Sequence, residues 1–170
     1  MKYLLYDCET ALPHEIFEQY ATDNLCVINA AQPAAKCIGC FQCWLKKPGS
    51  CKFSDKIEHL GSRLLSSEEI VIVCKSLYGG FSVAIKRILD RAIPGVLPFF
   101  EKKNNELHHS KRYNNTPVLK VIFYDSGEMT AAEQAQASKA IAATALNFHA
   151  SSFSVVFSET LSQAAQEVFA

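Results

Sequence analysis

Four of the seven cysteines lie in one segment, where their spacing is the sharpest chemical signal in the sequence. Cys37, Cys40 and Cys43 are each three residues apart, and Cys51 follows after seven intervening residues. Thiolates at this spacing can hold an iron–sulfur cluster or zinc, so the four cysteines are predicted metal ligands. Two alternatives stay open: a dithiol and disulfide redox pair formed by Cys40 and Cys43, and reduced thiols that carry no metal.

A second segment contains two adjacent glycines, Gly79 and Gly80, flanked by the aromatic residues Tyr78 and Phe81. Glycines let backbone amides approach a flat or anionic ligand closely, and the amino terminus of a helix attracts negative charge. A helix is predicted to begin at Ser82, so the two glycines lie just ahead of its amino terminus. Tyr78 and Phe81 could then stack on the ring of a ligand bound there. The alternative is that the glycines form only a tight turn between a strand and a helix.

A third segment is basic and aromatic: His108 and His109 stand close to Lys111, Arg112 and Tyr113. Such a group can contact a phosphate or a flat ring, and it can equally be a solvated loop. The surrounding stretch lacks any clear periodicity. Residues 95–117 are therefore predicted to be irregular.

Short apolar runs alternate with helical patterns along the chain and must position these three segments. Ser82 is a typical helix cap, and Thr130 with Glu133 matches a capping box at the start of a long helix. Five such alternations predict a parallel sheet covered by helices on both faces, with ligands at the carboxyl ends of its strands. The predicted strands are Lys2–Cys8, Leu25–Asn29, Ile70–Cys74, Val118–Tyr124 and Phe153–Phe157.

The composition is that of an ordinary globular protein, with 49% hydrophobic residues and 17 basic side chains balanced by 17 acidic ones. The 170 residues are predicted to form a single domain, 1–170. Scattered Lys and Arg residues argue against nucleic acid, which requires a concentrated basic face. No stretch reaches the roughly 18 apolar residues of a membrane span, and the amino terminus does not resemble a signal peptide. We therefore expect a cytoplasmic protein without a nucleic-acid or membrane partner.

The chain resembles the flavodoxin-like family of NAD(P)H-dependent FMN reductases and its iron–sulfur flavoprotein relatives. The resemblance covers most of the chain and rests on the runs CIGCFQCWLKKPGSC, IVIVCKSLYGGFSVAIKRILDR and HHSKRY. It implies a three-layer α/β sandwich around a five-stranded parallel sheet of order 2-1-3-4-5, with FMN lying against the loops after the third and fourth strands. The cofactor-binding residues that it implies are Thr10, Ser76, Leu77, Tyr78, Gly79, Gly80, Phe81, Asp125, Ser126 and Gly127.

The sequence departs from the family pattern directly after the first strand. Relatives carry a phosphate loop rich in Gly, Ser and Thr there, whereas this chain has DCETALPHE. Glu9 and Glu15 add negative charge near the helix terminus that should attract phosphate, and Thr10 offers the nearby hydroxyl. Ser76 also replaces a proline that is common in the flavin loop. These departures leave three outcomes open: weak binding of FMN, binding of FMN in an altered pose, and loss of FMN binding.

The resemblance implies a flavin-dependent oxidoreductase that passes electrons from NAD(P)H to a quinone, another flavin or a small acceptor. No catalytic side chain is required, because the cofactor carries the chemistry. One alternative is an electron-transfer protein with an iron–sulfur cluster near the flavin, and another is a flavodoxin-like binding domain that has lost FMN. A homodimer is expected, as in relatives, in which loops of one subunit complete the site of the other.

Overall fold

The computed structural model describes residues 1–8, 16–17 and 22–168. Five strands form one sheet in the order β2-β1-β3-β6-β7, and every neighbouring pair within it is parallel. Numbered among themselves in chain order, these five strands have the predicted order 2-1-3-4-5. The seven strands are β1 Lys2–Tyr6, β2 Leu25–Asn29, β3 Glu69–Lys75, β4 Val96–Lys103, β5 Glu106–Lys111, β6 Val118–Tyr124 and β7 Ser152–Phe157.

Helices cover both faces of this sheet, because alternate residues of its central strands are buried on opposite sides. Ile70 and Ile72 of β3 pack into one core with the helices Leu60–Leu65, Val83–Leu89 and Ala131–Asn147. Val71 and Val73 pack into a second core with Phe17 and the helix Leu161–Val168. The three-layer α/β architecture expected from the sequence is therefore confirmed. The helices are α1 Gln42–Leu45, α2 Leu60–Leu65, α3 Val83–Leu89, α4 Ala131–Asn147 and α5 Leu161–Val168, with a 3₁₀ helix at Asp90–Gly95.

Residues 95–117 contain a β-hairpin, so the prediction of an irregular stretch there was wrong. Strands β4 and β5 pair antiparallel as a separate two-stranded sheet. Asn104 and Asn105 make the turn with positive φ angles of 49° and 67°, a conformation that asparagine tolerates better than most residues. The hairpin lies between the 3₁₀ helix and β6 along the chain, and its two strands form a sheet separate from the main one. Among the described residues, no helix is both long and apolar enough to cross a membrane.

Candidate functional site at the carboxyl edge

The strand order reverses between β1 and β3, and Asp7 lies at this point, directly after β1. One carboxylate oxygen of Asp7 accepts a hydrogen bond from the Lys75 backbone N–H at 3.2 Å, and the other accepts one from the Tyr124 hydroxyl at 2.9 Å. Burial raises the pKa of Asp7, although hydrogen bonds from Ser82, Tyr124 and the Lys75 N–H oppose that rise. A partly buried carboxyl group thus occupies the edge where open α/β sheets bind their ligands.

The loop after β3 presents a bare aromatic ring at the same edge. Leu77 and Gly80 exchange two backbone hydrogen bonds of 3.0 and 2.9 Å, which close the loop tightly. Tyr78 occupies the left-handed region at φ 52°, and its side chain is 92% exposed. Leu77 is also exposed beside it. The loop therefore holds an apolar and aromatic surface open to a ligand.

Position 79 requires glycine because of its backbone angle and because α4 packs closely against it. Its φ is +74°, and a Cβ placed there would lie 3.1 Å from the Glu133 carbonyl oxygen of α4. A Cβ on Gly80 would meet only the Leu77 carbonyl oxygen at an ordinary 3.5 Å. Phe81 turns inward and packs against Phe123, with ring centroids 6.3 Å apart. These contacts favour the tight-turn interpretation of the glycines and leave Tyr78 as the exposed ring.

The loop after β6 forms the far side of the edge. Asp125 has φ 52° and pairs with the Lys75 ammonium group at 3.2 Å, which links this loop to the end of β3. Ser126 is buried, and its hydroxyl donates to the Ser158 carbonyl at 2.8 Å. A Cβ added at Gly127 would meet nothing within 4 Å, so the backbone is open there. Ser76 lies half-buried on the opposite loop, and Thr10 lies outside the described residues.

The four cysteines predicted as metal ligands, Cys37, Cys40, Cys43 and Cys51, line one cavity. Within residues 1–8, 16–17 and 22–168, no group of three or more His, Cys, Asp or Glu side chains is placed to hold a metal ion. Cys43, in helix α1, is buried, Cys37 is exposed, and Cys40 and Cys51 are half-buried. All four are free thiols. Burial raises the pKa of the Cys43 thiol, and the neighbouring Cys51, Cys37 and Cys40 reinforce that rise.

The basic segment of the hairpin packs against the protein. The His109 ring stacks on Phe100 with centroids 4.5 Å apart and tilts against Trp44 at 4.9 Å. His108 Nδ1 donates to the Asn147 side-chain oxygen at 2.9 Å, and Arg112 donates to the Pro94 carbonyl at 2.8 Å. These side chains therefore fix the hairpin to the 3₁₀ helix and to α4, and they do not form the solvated loop that was one alternative.

Sequence reasoning missed a buried ion pair between Arg91 and Asp55. Arg91 is 1% exposed, and its guanidinium group donates to the Asp55 carboxylate, to the Ala35 carbonyl at 3.3 Å and to the Phe53 carbonyl at 3.2 Å. Burial opposes the charge on Arg91, but its interactions with Asp55 and Cys51 together outweigh that effect and raise the pKa of Arg91. The pair ties the cysteine segment to the 3₁₀ helix. Nothing in the spacing of Asp55 and Arg91 indicates their contact.

Comparison with known proteins supports the architecture rather than a sequence family. The sequence matches no protein-family model and no curated protein. A solved structure of general stress protein 14 from Treponema denticola in complex with FMN has a TM-score of 0.55 at 13% identity, covering 98% of this chain and 90% of that chain. An FMN-dependent NADH-azoreductase from Bacillus anthracis, also in complex with FMN, has a TM-score of 0.51 at 11% identity, covering 99% of this chain and 93% of that chain. Together with the strand order and the helices on both faces, these similarities identify the chain as a protein of flavodoxin-like fold.

Proposed function

We propose that the chain is a flavin-dependent oxidoreductase that takes electrons from NAD(P)H and passes them to a quinone, another flavin or a small acceptor. The observation that carries the proposal is the loop Leu77–Gly80, which holds an almost fully exposed tyrosine ring at the ligand edge of the fold. Both similar structures contain FMN, which supports a flavin as the ligand.

The described residues at the edge fit the ring part of a flavin. Tyr78 and Leu77 would supply its apolar contact surface, and the open backbone at Gly127 would leave room at its other side. A flavin bound here would supply the hydride and electron transfer, so no acid or base is required of the chain. The task of these residues is to orient the ring and to exclude water.

The first test is the visible absorption spectrum of protein purified without oxygen, before and after adding FMN and then NADH or NADPH. The proposal predicts a shifted flavin spectrum on binding and bleaching by one of the two nucleotides. Tyr78→Ala should weaken FMN binding by about three- to tenfold, as expected for the loss of an aromatic stacking pair. Leu45→Ala, which removes an exposed apolar side chain from α1, is the matched control and should bind like the wild type.

A flavodoxin-like domain that has lost FMN is the second candidate, and Asp7 favours it. Its carboxylate lies at the reversal of strand order and adds negative charge near the place where the family binds phosphate. Unchanged FMN absorbance at millimolar flavin, with the protein shown to be folded by circular dichroism, would leave this candidate standing and rule out the oxidoreductase.

We further propose a homodimer, supported by the surface of the hairpin. Phe99, Phe100 and Leu107 are all exposed there, and a two-stranded sheet leaves both of its edges unpaired. Phe99→Glu should shift the protein from dimer to monomer in size-exclusion chromatography with light scattering. Lys139→Glu, which changes an exposed charge on α4 outside the hairpin, should leave the dimer intact. A wild-type protein that is monomeric at all concentrations would contradict the proposal.

A further inference from the structure

His149 lies buried where the β-hairpin meets the end of α4. Its side chain is 3% exposed. The Nε2–H group donates to the His109 carbonyl at 2.8 Å, and Nδ1 accepts from the ammonium group of Lys103, which has no acceptor of its own. His109 belongs to β5 and Lys103 to β4. One neutral imidazole ring therefore joins both strands of the hairpin to the end of α4.

Protonation of His149 is incompatible with this arrangement. A protonated Nδ1 cannot accept from an ammonium group, and two cations would then face each other across one short contact. Burial lowers the pKa of His149 below its ordinary value of 6.5, and the charge of Lys103 lowers it further. The junction is thus most stable while the ring is neutral.

The other charged groups that face the ring belong to the hairpin and to the residue that follows it. Glu101 lies 3.7 Å from Nδ1 and would attract a protonated ring, but its carboxylate is already paired with Lys103 at 3.0 Å. Lys111 and Arg112 line a small recess together with His149 and add two positive charges. The hairpin therefore surrounds the ring with more positive than negative charge.

The end of α4 does not offset that excess of positive charge. Residues 144–147, which form its last turn, carry no charged side chain. The backbone N–H groups of residues 148–150 already bond the last carbonyl groups of the helix. Those carbonyl groups therefore attract a nearby cation less than they would at an open helix end.

The second histidine of the junction, His108, tolerates protonation. Its Nδ1 donates to the Asn147 side-chain oxygen at 2.9 Å, and its Nε2 lies 3.4 Å from the Glu106 carboxylate. A protonated ring keeps its donor toward Asn147 and pairs with Glu106. Acid therefore weakens the junction through His149 and not through His108.

We propose that His149 is an acid-sensitive latch, whose neutral ring holds the outer part of the hairpin, residues 101–109, against α4 and whose protonation releases it. The base of the hairpin stays attached, because Trp44 donates to the Val96 carbonyl at 3.0 Å and Arg112 donates to the Pro94 carbonyl. His109 also lines a cavity of about 540 Å³, so release opens one wall of that cavity. The latch uses no residue of the proposed flavin site.

Hydrogen exchange followed by mass spectrometry between pH 7 and pH 4.5 tests the latch. A two-stranded hairpin is only marginally stable alone, so the protection of its backbone N–H groups depends on packing against the protein. After correction for the intrinsic exchange rate, the protection of residues 100–110 should fall about three- to tenfold relative to that of β3 as the pH drops below 6.5. A constant ratio would overturn the proposal.

His149→Gln identifies the responsible group. The glutamine carboxamide can donate to the His109 carbonyl and accept from Lys103, but it does not titrate. The protection ratio should therefore no longer depend on pH in this variant. His59→Gln, which replaces an exposed histidine outside the junction, is the matched control and should keep the wild-type pH dependence. The wild-type dependence in His149→Gln would assign the effect to another group and reject the latch.

A second variant decides the matter should His149→Gln not fold, since His149 has a φ of 53°, which disfavours most side chains. Lys103→Met removes the ammonium group and frees Glu101 to pair with a protonated His149. Acid should then no longer lower the protection of the hairpin. Lys102→Met, at an exposed position of the same strand, should behave like the wild type. Full acid sensitivity in Lys103→Met would contradict the proposed repulsion.

Discussion

The hydroxyl of Tyr124 donates a 2.9 Å hydrogen bond to the carboxylate of Asp7, joining two residues that are 117 positions apart in the sequence. Asp7 follows β1 and Tyr124 ends β6, and these strands are separated in the sheet by β3. The backbone N–H of Lys75, at the end of β3, donates to the second oxygen of the same carboxylate. One side chain therefore joins the carboxyl ends of three strands.

We predict that Tyr124→Phe lowers the free energy of unfolding by about 1 to 2 kcal/mol, because a partly buried carboxylate loses a hydrogen-bond donor. Urea denaturation at neutral pH measures the change. Tyr78→Phe is the matched control, since its hydroxyl lies on an exposed ring and its removal should not alter stability. Equal losses in the two variants would show that the Asp7 contact contributes nothing.

Asp7 also predicts a dependence of stability on pH. Burial raises the pKa of Asp7 above its ordinary value of 3.8. At a pH between the unfolded-state and folded-state pKa values, the Asp7 carboxyl group is therefore protonated in the folded protein and ionised in the unfolded chain. The contribution of Asp7 to stability therefore falls as the pH rises from about 4 through the folded-state pKa. Asp7→Asn removes this titration, so its stability relative to the wild type should increase between pH 4 and pH 7. Parallel pH profiles for the two proteins would contradict the predicted shift.

The same residue gives a prediction about flavin preference that rests on the proposed function. Removing the Asp7 charge should favour a phosphate-bearing ligand over a neutral one. We expect Asp7→Asn to tighten FMN binding by about three- to tenfold while leaving riboflavin binding within about twofold of the wild type. Flavin fluorescence titrations at low salt measure both constants. An equal change for the two flavins would mean that Asp7 acts on the ring and not on the phosphate.

Two glycines make the contact between α2 and the 3₁₀ helix possible. A Cβ on Gly61 would lie 2.3 Å from the Ala92 carbonyl oxygen, and one on Gly95 would lie 2.4 Å from the Gly61 carbonyl oxygen. Gly61→Ala should therefore lower the free energy of unfolding by about 2 to 3 kcal/mol, through overpacking against backbone that cannot move freely. Gly127→Ala, where the added Cβ meets nothing within 4 Å, is the control and should be nearly neutral in the same denaturation experiment.

The cysteines should differ in what they contribute to stability. Cys43 is buried, so Cys43→Ser places a hydroxyl in apolar surroundings and should cost about 1 to 2 kcal/mol. Cys37 is exposed, so Cys37→Ser should stay within about 0.5 kcal/mol of the wild type. A comparable loss from both variants would contradict this account.

The sheet could be predicted from sequence because its signals are local. Ile70–Cys74 is a continuous apolar run of the kind that a strand buried on both faces requires, and all five of its side chains are buried. Two predicted helix starts were also correct: Ser82 accepts from the Ile85 N–H, and Thr130 forms a capping box with Glu133. Such short-range patterns define the elements, and the crossover rules then leave few possible topologies.

The candidate site was harder to predict because its contacts join distant parts of the chain. Neither the Asp7 to Tyr124 bond nor the burial of Arg91 against Asp55 has a local sequence signal. The cysteine spacing describes positions along the chain, but it does not indicate that Cys43 is buried in helix α1 while Cys37 is exposed. The hairpin was missed because its strands carry exposed apolar side chains that hide the alternation, although its Asn104–Asn105 turn was a readable signal.

The position of the hairpin outside the main sheet has a practical consequence. Its tip at Asn104 and Asn105 is exposed, and the chain on either side of it belongs to no strand of the parallel sheet. Exposed loop tips of small polar residues accept insertions most readily, and the added length costs little closure entropy. A short peptide epitope inserted between these two asparagines should leave the register of all five parallel strands unchanged. The protein thus offers a place for an immobilisation handle that does not disturb the carboxyl edge of its sheet.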